Sequence, residues 1–232
     1  MNRLVRVAVA LGICCASLSA DARASGGSPM PPSGGASSMP SAPRKTPEEQ
    51  AVEFYNAGLK YRDKALAFEK EGSQAASEKD KSKLEKKAQQ EFGKAISQFR
   101  LAIEKYPKYY QAHSDLGYAL RKTGDYPAAL ETYDRAISLS PNYAPAIEYR
   151  AEAYLALDRV EDAKKAYMDL FPSDRGRADE LLKAMKGWVE KRRAEPGSLT
   201  PDAVQEFSHW VEQRDELAGQ TPSLSELQQR KW

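Results

Sequence analysis

Residues too small to fill space recur beside residues that fill it well, at a fixed period. In a 34-residue frame begun at Tyr110, Gly117 takes the eighth place, Ala129 the twentieth, Tyr133 the twenty-fourth, Ala136 the twenty-seventh and Pro141 the thirty-second. Begun again at Ala144, the frame puts Ala151, Ala163 and Tyr167 at the eighth, twentieth and twenty-fourth places. A glycine or alanine lets a second helix approach closely, and the tyrosine fills the space beside the crossing. Gly124-Asp125-Tyr126-Pro127 supplies the turn between the two helices: Gly124 ends the first, Asp125 caps the second, and Pro127 sits where a missing N–H costs little. Arg175 stands at the thirty-second place of the later frame, so that unit is degenerate at its end.

This pattern resembles the tetratricopeptide repeat, a pair of antiparallel helices in 34 residues. The resemblance covers about 130 residues, Thr46 to about Arg177, and implies an all-α helical solenoid of about three units. Ala95, Phe99, Ala102 and Pro107 match the second-helix half of a first unit. Its first-helix half lies upstream, where Phe54, Ala57, Gly58 and Tyr61 fit the fourth, seventh, eighth and eleventh places. Gly58 stands 37 residues before Ala95, whereas Gly117 stands 12 before Ala129, so the first unit carries 25 extra residues.

The insertion keeps a helical pattern. Ala51, Phe54, Gly58, Tyr61, Ala65 and Phe68 alternate steps of three and four, a coiled-coil seam. Leu84, Ala88, Phe92, Ala95, Phe99, Ala102 and Tyr106 provide a facing stripe, and only EGSQAAS, residues 71–77, reads as a turn. The expectation is an elongated hairpin projecting beyond the array by about 18 Å per helix. Thr46-Pro47-Glu48-Glu49 marks the fold's start as a capping box.

Residues 1–24 read as a secretory signal: Arg3 and Arg6 precede the apolar run Val7–Leu18, and small residues surround Ala20 to Ala24. A bacterial periplasm is the expected compartment, ahead of full secretion. An acylated outer-membrane form ranks behind both, because Ile13, not a small residue, precedes Cys14. The Gly, Ser and Pro of residues 25–45 read as a linker with nothing to bury. Cleavage would remove Cys14 and Cys15, the only cysteines. Removing Arg3, Arg6, Arg23 and Asp21 with the leader takes 35 basic and 33 acidic residues to 32 of each. A neutral mature chain has no overall electrostatic attraction to nucleic acid or anionic lipid, and its sequence beyond the leader contains no transmembrane segment.

After the array, residues 178–195 carry Leu181, Met185, Trp188 and Val189 on one side and suit a capping helix. Residues 199–232 read as a helical tail with Val204, Phe207, Trp210 and Val211 on one face, packing on the array or folding back into its groove.

Nothing in the sequence points to catalysis. His113 stands at a packing place, His209 is remote from it, and no metal-ligand cluster, phosphate-binding glycine loop or nucleophile motif is present. No cofactor or metal is expected, and the chain reads as no enzyme. The resemblance implies that first helices line a concave groove. Tyr55, Leu59, Arg62, Tyr118, Arg121, Lys122, Glu148, Tyr149 and Glu152 fall at its groove places. Family members that clamp a C-terminal carboxylate use Lys, Asn and Arg at five places that here hold Tyr55, Leu59, Asp115, Pro145 and Tyr149, so that clamp is absent. The functional expectation is an exported adaptor that binds a peptide segment or helix of another protein. The alternative is an envelope assembly component that self-associates through the hairpin.

Overall fold

The computed structural model describes residues 45–195 and 197–220. The expected leader and linker, and the chain after residue 220, lie outside the described residues. Those described form eight helices and no strand: α1 (Pro47–Ser73), α2 (Glu78–Lys105), α3 (Tyr110–Lys122), α4 (Tyr126–Leu139), α5 (Ala144–Ala156), α6 (Val160–Leu170), α7 (Arg175–Ala194) and α8 (Pro201–Gln220). Consecutive helices pack as pairs. In addition α1, α3, α5 and α7 touch one another in order, while no comparable packing joins α2, α4 and α6. The odd-numbered helices therefore form the inner side of a curved all-α array.

Helix boundaries follow local chemistry. Thr46 accepts a bond from the Glu49 N–H at 3.2 Å while Glu49 accepts one from the Thr46 N–H at 2.9 Å, closing the capping box. Asp125 accepts from the Ala128 N–H at 3.3 Å and starts α4, just after Gly124 adopts φ +87°. The equivalent turn between α5 and α6 has no glycine. Asp158 takes the left-handed conformation there, at φ 58°. Its carboxylate accepts from Arg192 at 2.8 Å and from the Ser198 N–H and hydroxyl at 2.9 and 2.8 Å, joining the array to α7 and to the segment before α8. Burial alone would raise the Asp158 carboxyl; Ser198 and Arg192 outweigh it and hold the group below the usual carboxylate range.

The small residues act as the spacing suggests. A Cβ added to Gly58 would overlap Phe99 Cε1, and one added to Gly117 would lie 2.7 Å from Tyr133 Cε1. Ala95, Ala129, Ala136, Ala151, Ala163 and Tyr167 are buried with them. Pro141 is exposed and acts only as a terminator, two residues after α4 ends at Leu139.

The first pair is elongated. Helices α1 and α2 have 27 and 28 residues against 13 and 14 in α3 and α4, a difference of 14 in each case or about 21 Å. Helix α1 buries Ala51, Gly58, Ala65 and Gly72, seven residues apart, against Ala88, Phe92, Ala95, Phe99 and Ala102 of α2. Phe54, Tyr61 and Phe68 are only half-buried beside that contact. The turn is shorter than expected: α1 continues through Gly72, whose absent Cβ would lie 3.5 Å from Leu84 Cβ, and only Gln74–Ser77 separates the helices.

At the other end, α7 begins at Arg175, inside the residues expected to close the third unit, because Asp174 accepts from the Arg177 N–H at 3.1 Å. Trp188 of α7 donates to the Leu155 carbonyl at 2.6 Å and meets Phe207 of α8 edge-on at 5.2 Å. Trp210 of α8 meets Tyr167 of α6 at 5.6 Å. The described part of the tail thus packs on α6 and α7, away from the inner faces of α1, α3 and α5.

Two consequences can be measured. Gly58→Ala should lower stability by about 1–3 kcal/mol, because overpacking the Phe99 ring outweighs the helix-propensity gain. Gly93→Ala, exposed on α2 with open space at its Cβ, should raise stability by about 0.5–1 kcal/mol. Urea midpoints read both signs, and a neutral Gly58→Ala would contradict close helix approach there. His113 is buried, and its Nε2 lies 3.0 Å from the Pro107 carbonyl. Burial lowers its pKa, opposed by the Pro107 bond and reinforced by Arg135. The unfolded chain then binds the proton more tightly, so stability falls as pH drops from about 6.5 through the lower folded value. His113→Gln should flatten that limb in denaturation curves taken between pH 7 and 5.

Candidate functional site

The nine residues expected to line the groove all stand on α1, α3 and α5. They are not independent contacts. The fold joins all but Leu59, through Asp63, Glu69, Asp115 and Arg177 as ion-pair partners, into three layers across the inner helices.

In the first layer, the Asp115 carboxylate of α3 accepts from the Tyr55 hydroxyl at 2.7 Å and from Arg62 at 2.6 Å, both on α1. Arg62 also bonds Asp63 at 2.9 Å. Burial would lower the Arg62 pKa, but Asp115 and Asp63 outweigh it and keep the guanidinium charged. Tyr109 and Tyr143 stand near the same carboxylate; burial, reinforced by Asp115, pushes each up to about 12. These hydroxyls therefore remain neutral donors throughout the physiological range.

The second layer is aromatic. Tyr118 of α3 and Tyr149 of α5 pack with ring centroids 5.0 Å apart, and the Arg121 guanidinium lies 5.2 and 5.8 Å from them. Arg121 pairs with Glu152 of α5 at 2.5 Å, their side chains 15% and 23% exposed, so the layer keeps an accessible edge. Beside it Lys122 pairs with Glu69 of α1 at 2.7 Å, and Gln89 of α2 donates to the Lys122 carbonyl at 3.0 Å. These two bonds fasten the long hairpin to the second unit. Leu59 is half-buried and packs against the core below.

In the third layer Arg177 of α7 bonds the buried Glu148 at 2.5 Å and the Tyr149 hydroxyl at 3.4 Å. Burial pushes the Glu148 carboxyl above its ordinary range, and Arg177 offsets this in part. Four cations thus meet five carboxylates, each in an ion pair. The arrangement positions hydrogen-bonding groups and ring faces; it leaves no unpaired nucleophile–base couple among these side chains. Among the described residues no group of His, Cys, Asp and Glu could hold a metal ion, and no helix is long and apolar enough to cross a membrane.

The nine positions were read one by one from the frame, which does not reveal the partners they bond. Asp115 sits at a groove place without advertising that it joins Tyr55 to Arg62, 60 and 53 residues away. Arg177 falls at the degenerate end of the third frame, where the spacing gives no position for it.

Family models described as tetratricopeptide repeat match residues 84–144 and 120–188, which span α2 to α7. Residues 84–188 are tetratricopeptide repeats. Repeats of this kind are generally protein-interaction scaffolds rather than enzymes. Among solved structures the chain is similar to the TPR2B domain of yeast Sti1 in a pHsp70 complex, at 15% identity and TM-score 0.38, covering 71% of this chain and 98% of that one. The first such domain of Spaghetti (RPAP3), bound to the HSP90 peptide SRMEEVD, has 20% identity and TM-score 0.39, covering 57% and 94%. MamA protein has 22% identity and TM-score 0.35, covering 66% and 99%. No curated protein matches the sequence.

The layers can be weighed by substitution. Asp115→Ala should cost the repeat array about 2 kcal/mol. That is below the figure for a fully buried pair because Arg62 is 26% exposed and retains Asp63. Asp63→Ala, at a carboxylate 65% exposed, should cost under about 1 kcal/mol. Equal losses in thermal or chemical denaturation would refute Asp115 as the joint between α1 and α3.

Proposed function

We propose that this protein is an exported adaptor that holds a peptide segment or helix of another protein along the inner faces of α1, α3 and α5. The observation that carries this reading is the Tyr118–Arg121–Tyr149–Glu152 layer. Its members are fixed by one another yet keep exposed edges, so a ligand meets oriented donors, acceptors and ring faces without first ordering them. Tyrosine and arginine suit such a surface because each offers large contact area together with a polar group. The leader at residues 1–24 supports export, with the periplasm as the compartment.

The ligand's chemistry follows from what lines the face. Asp115 and Tyr149 stand where a carboxylate clamp would need Asn and Arg, and Asp115 and Arg62 are already committed to each other, leaving no donor there for a free carboxylate. An internal segment of mixed charge is therefore the expected ligand, not an acidic C-terminal tail.

Arg121→Glu alone would set two carboxylates together and disturb the fold, so the ligand-binding test reverses the pair. Arg121→Glu with Glu152→Arg keeps the ion pair but inverts the pattern presented to a ligand. A photo-crosslinking residue at Lys122 or Asn56, on the inner side, should yield a discrete adduct with a partner in intact cells; one at Met168, exposed on α6, should not. The reversed pair should lose that adduct while keeping wild-type circular dichroism. Adducts that form equally from both sides, or survive the reversal, would exclude the inner face.

A further inference from the structure

Two outer helices at opposite ends of the array carry stretches of one charge sign, basic on one and acidic on the other. On α2 the positions 79, 83, 86, 90, 93, 97 and 100 alternate steps of four and three, so they share one face. They hold Lys79, Lys83, Lys86, Gln90, Gly93, Ser97 and Arg100, every one exposed and none acidic. On α8 the positions 202, 206, 209, 213, 216 and 220 step in the same way. They hold Asp202, Glu206, His209, Gln213, Glu216 and Gln220, all exposed, with no lysine or arginine. One further step along the α2 face brings Glu104, which pairs with Lys105 at 3.1 Å and ends the basic stretch; Glu85 and the Lys94–Glu91 pair flank it, and Asp215 turns to Lys186 at 2.6 Å beside the second face.

None of Lys79, Lys83, Lys86, Arg100, Asp202, Glu206 or Glu216 forms an ion pair among the described residues, although most charged residues nearby do. The two faces also match in length, since 21 residue steps on α2 and 18 on α8 correspond to about 32 and 27 Å. One helix belongs to the first pair and the other to the last, so the two faces of one array lie on different ends of it.

We infer that the occupant of the α2 face is α8 of a second copy, giving head-to-tail association of the protein. This site is separate from the inner face and does not rest on the ligand reading above. A contact between two different faces is heterologous, so it propagates into an open row or closes into a ring. Exposed ion pairs are individually weak and screened by salt, so the association is weak and depends on ionic strength. The near balance of total charge leaves no overall repulsion between copies to oppose it.

Sedimentation velocity of the full chain over a concentration series tests this. At about 0.1 M salt the weight-average sedimentation coefficient should rise with concentration; at about 1 M, where the screening length falls from about 10 Å to about 3 Å, the rise should vanish. Lys83→Glu with Lys86→Glu should weaken association at least about tenfold, and Asp202→Lys with Glu206→Lys should do the same. Both pairs are exposed, and circular dichroism should match wild type. Mixing the two reversed proteins should restore association, because each then offers the face the other lacks. A monomer at every concentration in low salt would overturn the proposal, as would association unchanged by either reversal or a mixture that does not recover. Binding to vesicles containing anionic phospholipid, lost in the Lys83→Glu/Lys86→Glu protein while the α8 reversal has no effect on any association, would instead assign the α2 face to a lipid surface and overturn it too.

Discussion

Close approach between a glycine and an aromatic ring is the constraint on which this array depends. Gly58 under Phe99 and Gly117 under Tyr133 are the same contact made twice, in the first and second pairs. Each lets two helix backbones come near enough for the flanking alanines to reach the core, and each sets the crossing from which the next helix takes its place. Because the ring occupies the volume a Cβ would need, the contact is selective as well as permissive. The third pair makes it with Ala151, and there the turn chemistry changes too, with Asp158 replacing the glycine that Gly124 supplies one unit earlier.

From that geometry the inner face follows. Helices set close in pairs bring α1, α3 and α5 side by side, so side chains 30 to 60 residues apart in sequence become neighbours. The resulting surface is neither an open row of ligand contacts nor a sealed core. Each arginine is held by a carboxylate from another helix, and the pairs hold the repeats in register while keeping part of their surface toward solvent. The same residues therefore serve cohesion and recognition, which couples the stability of the array to the shape it presents.

The fold was largely legible because it is written in periodicities. The 34-residue spacing located the helix pairs, the Gly58-to-Ala95 interval located the elongated hairpin, and Thr46-Pro47-Glu48-Glu49 located its start. What escaped were features set by long-range partners. The start of the first turn moved because Gly72 packs over Leu84, and α7 began at Arg175 because Asp174 caps it. The site was legible as positions but not as a network. A groove residue read from a frame looks free, whereas Tyr55, Arg62 and Asp115 belong to one bonded group that no local spacing reveals. The one-signed stretches on α2 and α8 were equally hidden until burial separated exposed positions from the flanks.

The long hairpin has a mechanical consequence. Its helices are each 14 residues longer than those of the second pair, and Lys122 reaches Glu69, four residues before α1 ends at Ser73, while Gln89 donates to the Lys122 carbonyl. Lys122 is also an inner-face residue, adjacent to Arg121 in the aromatic layer. The extra length is therefore braced part-way along its projecting portion, not only where the repeats pack, and the brace springs from the residue next to Arg121 on the inner face.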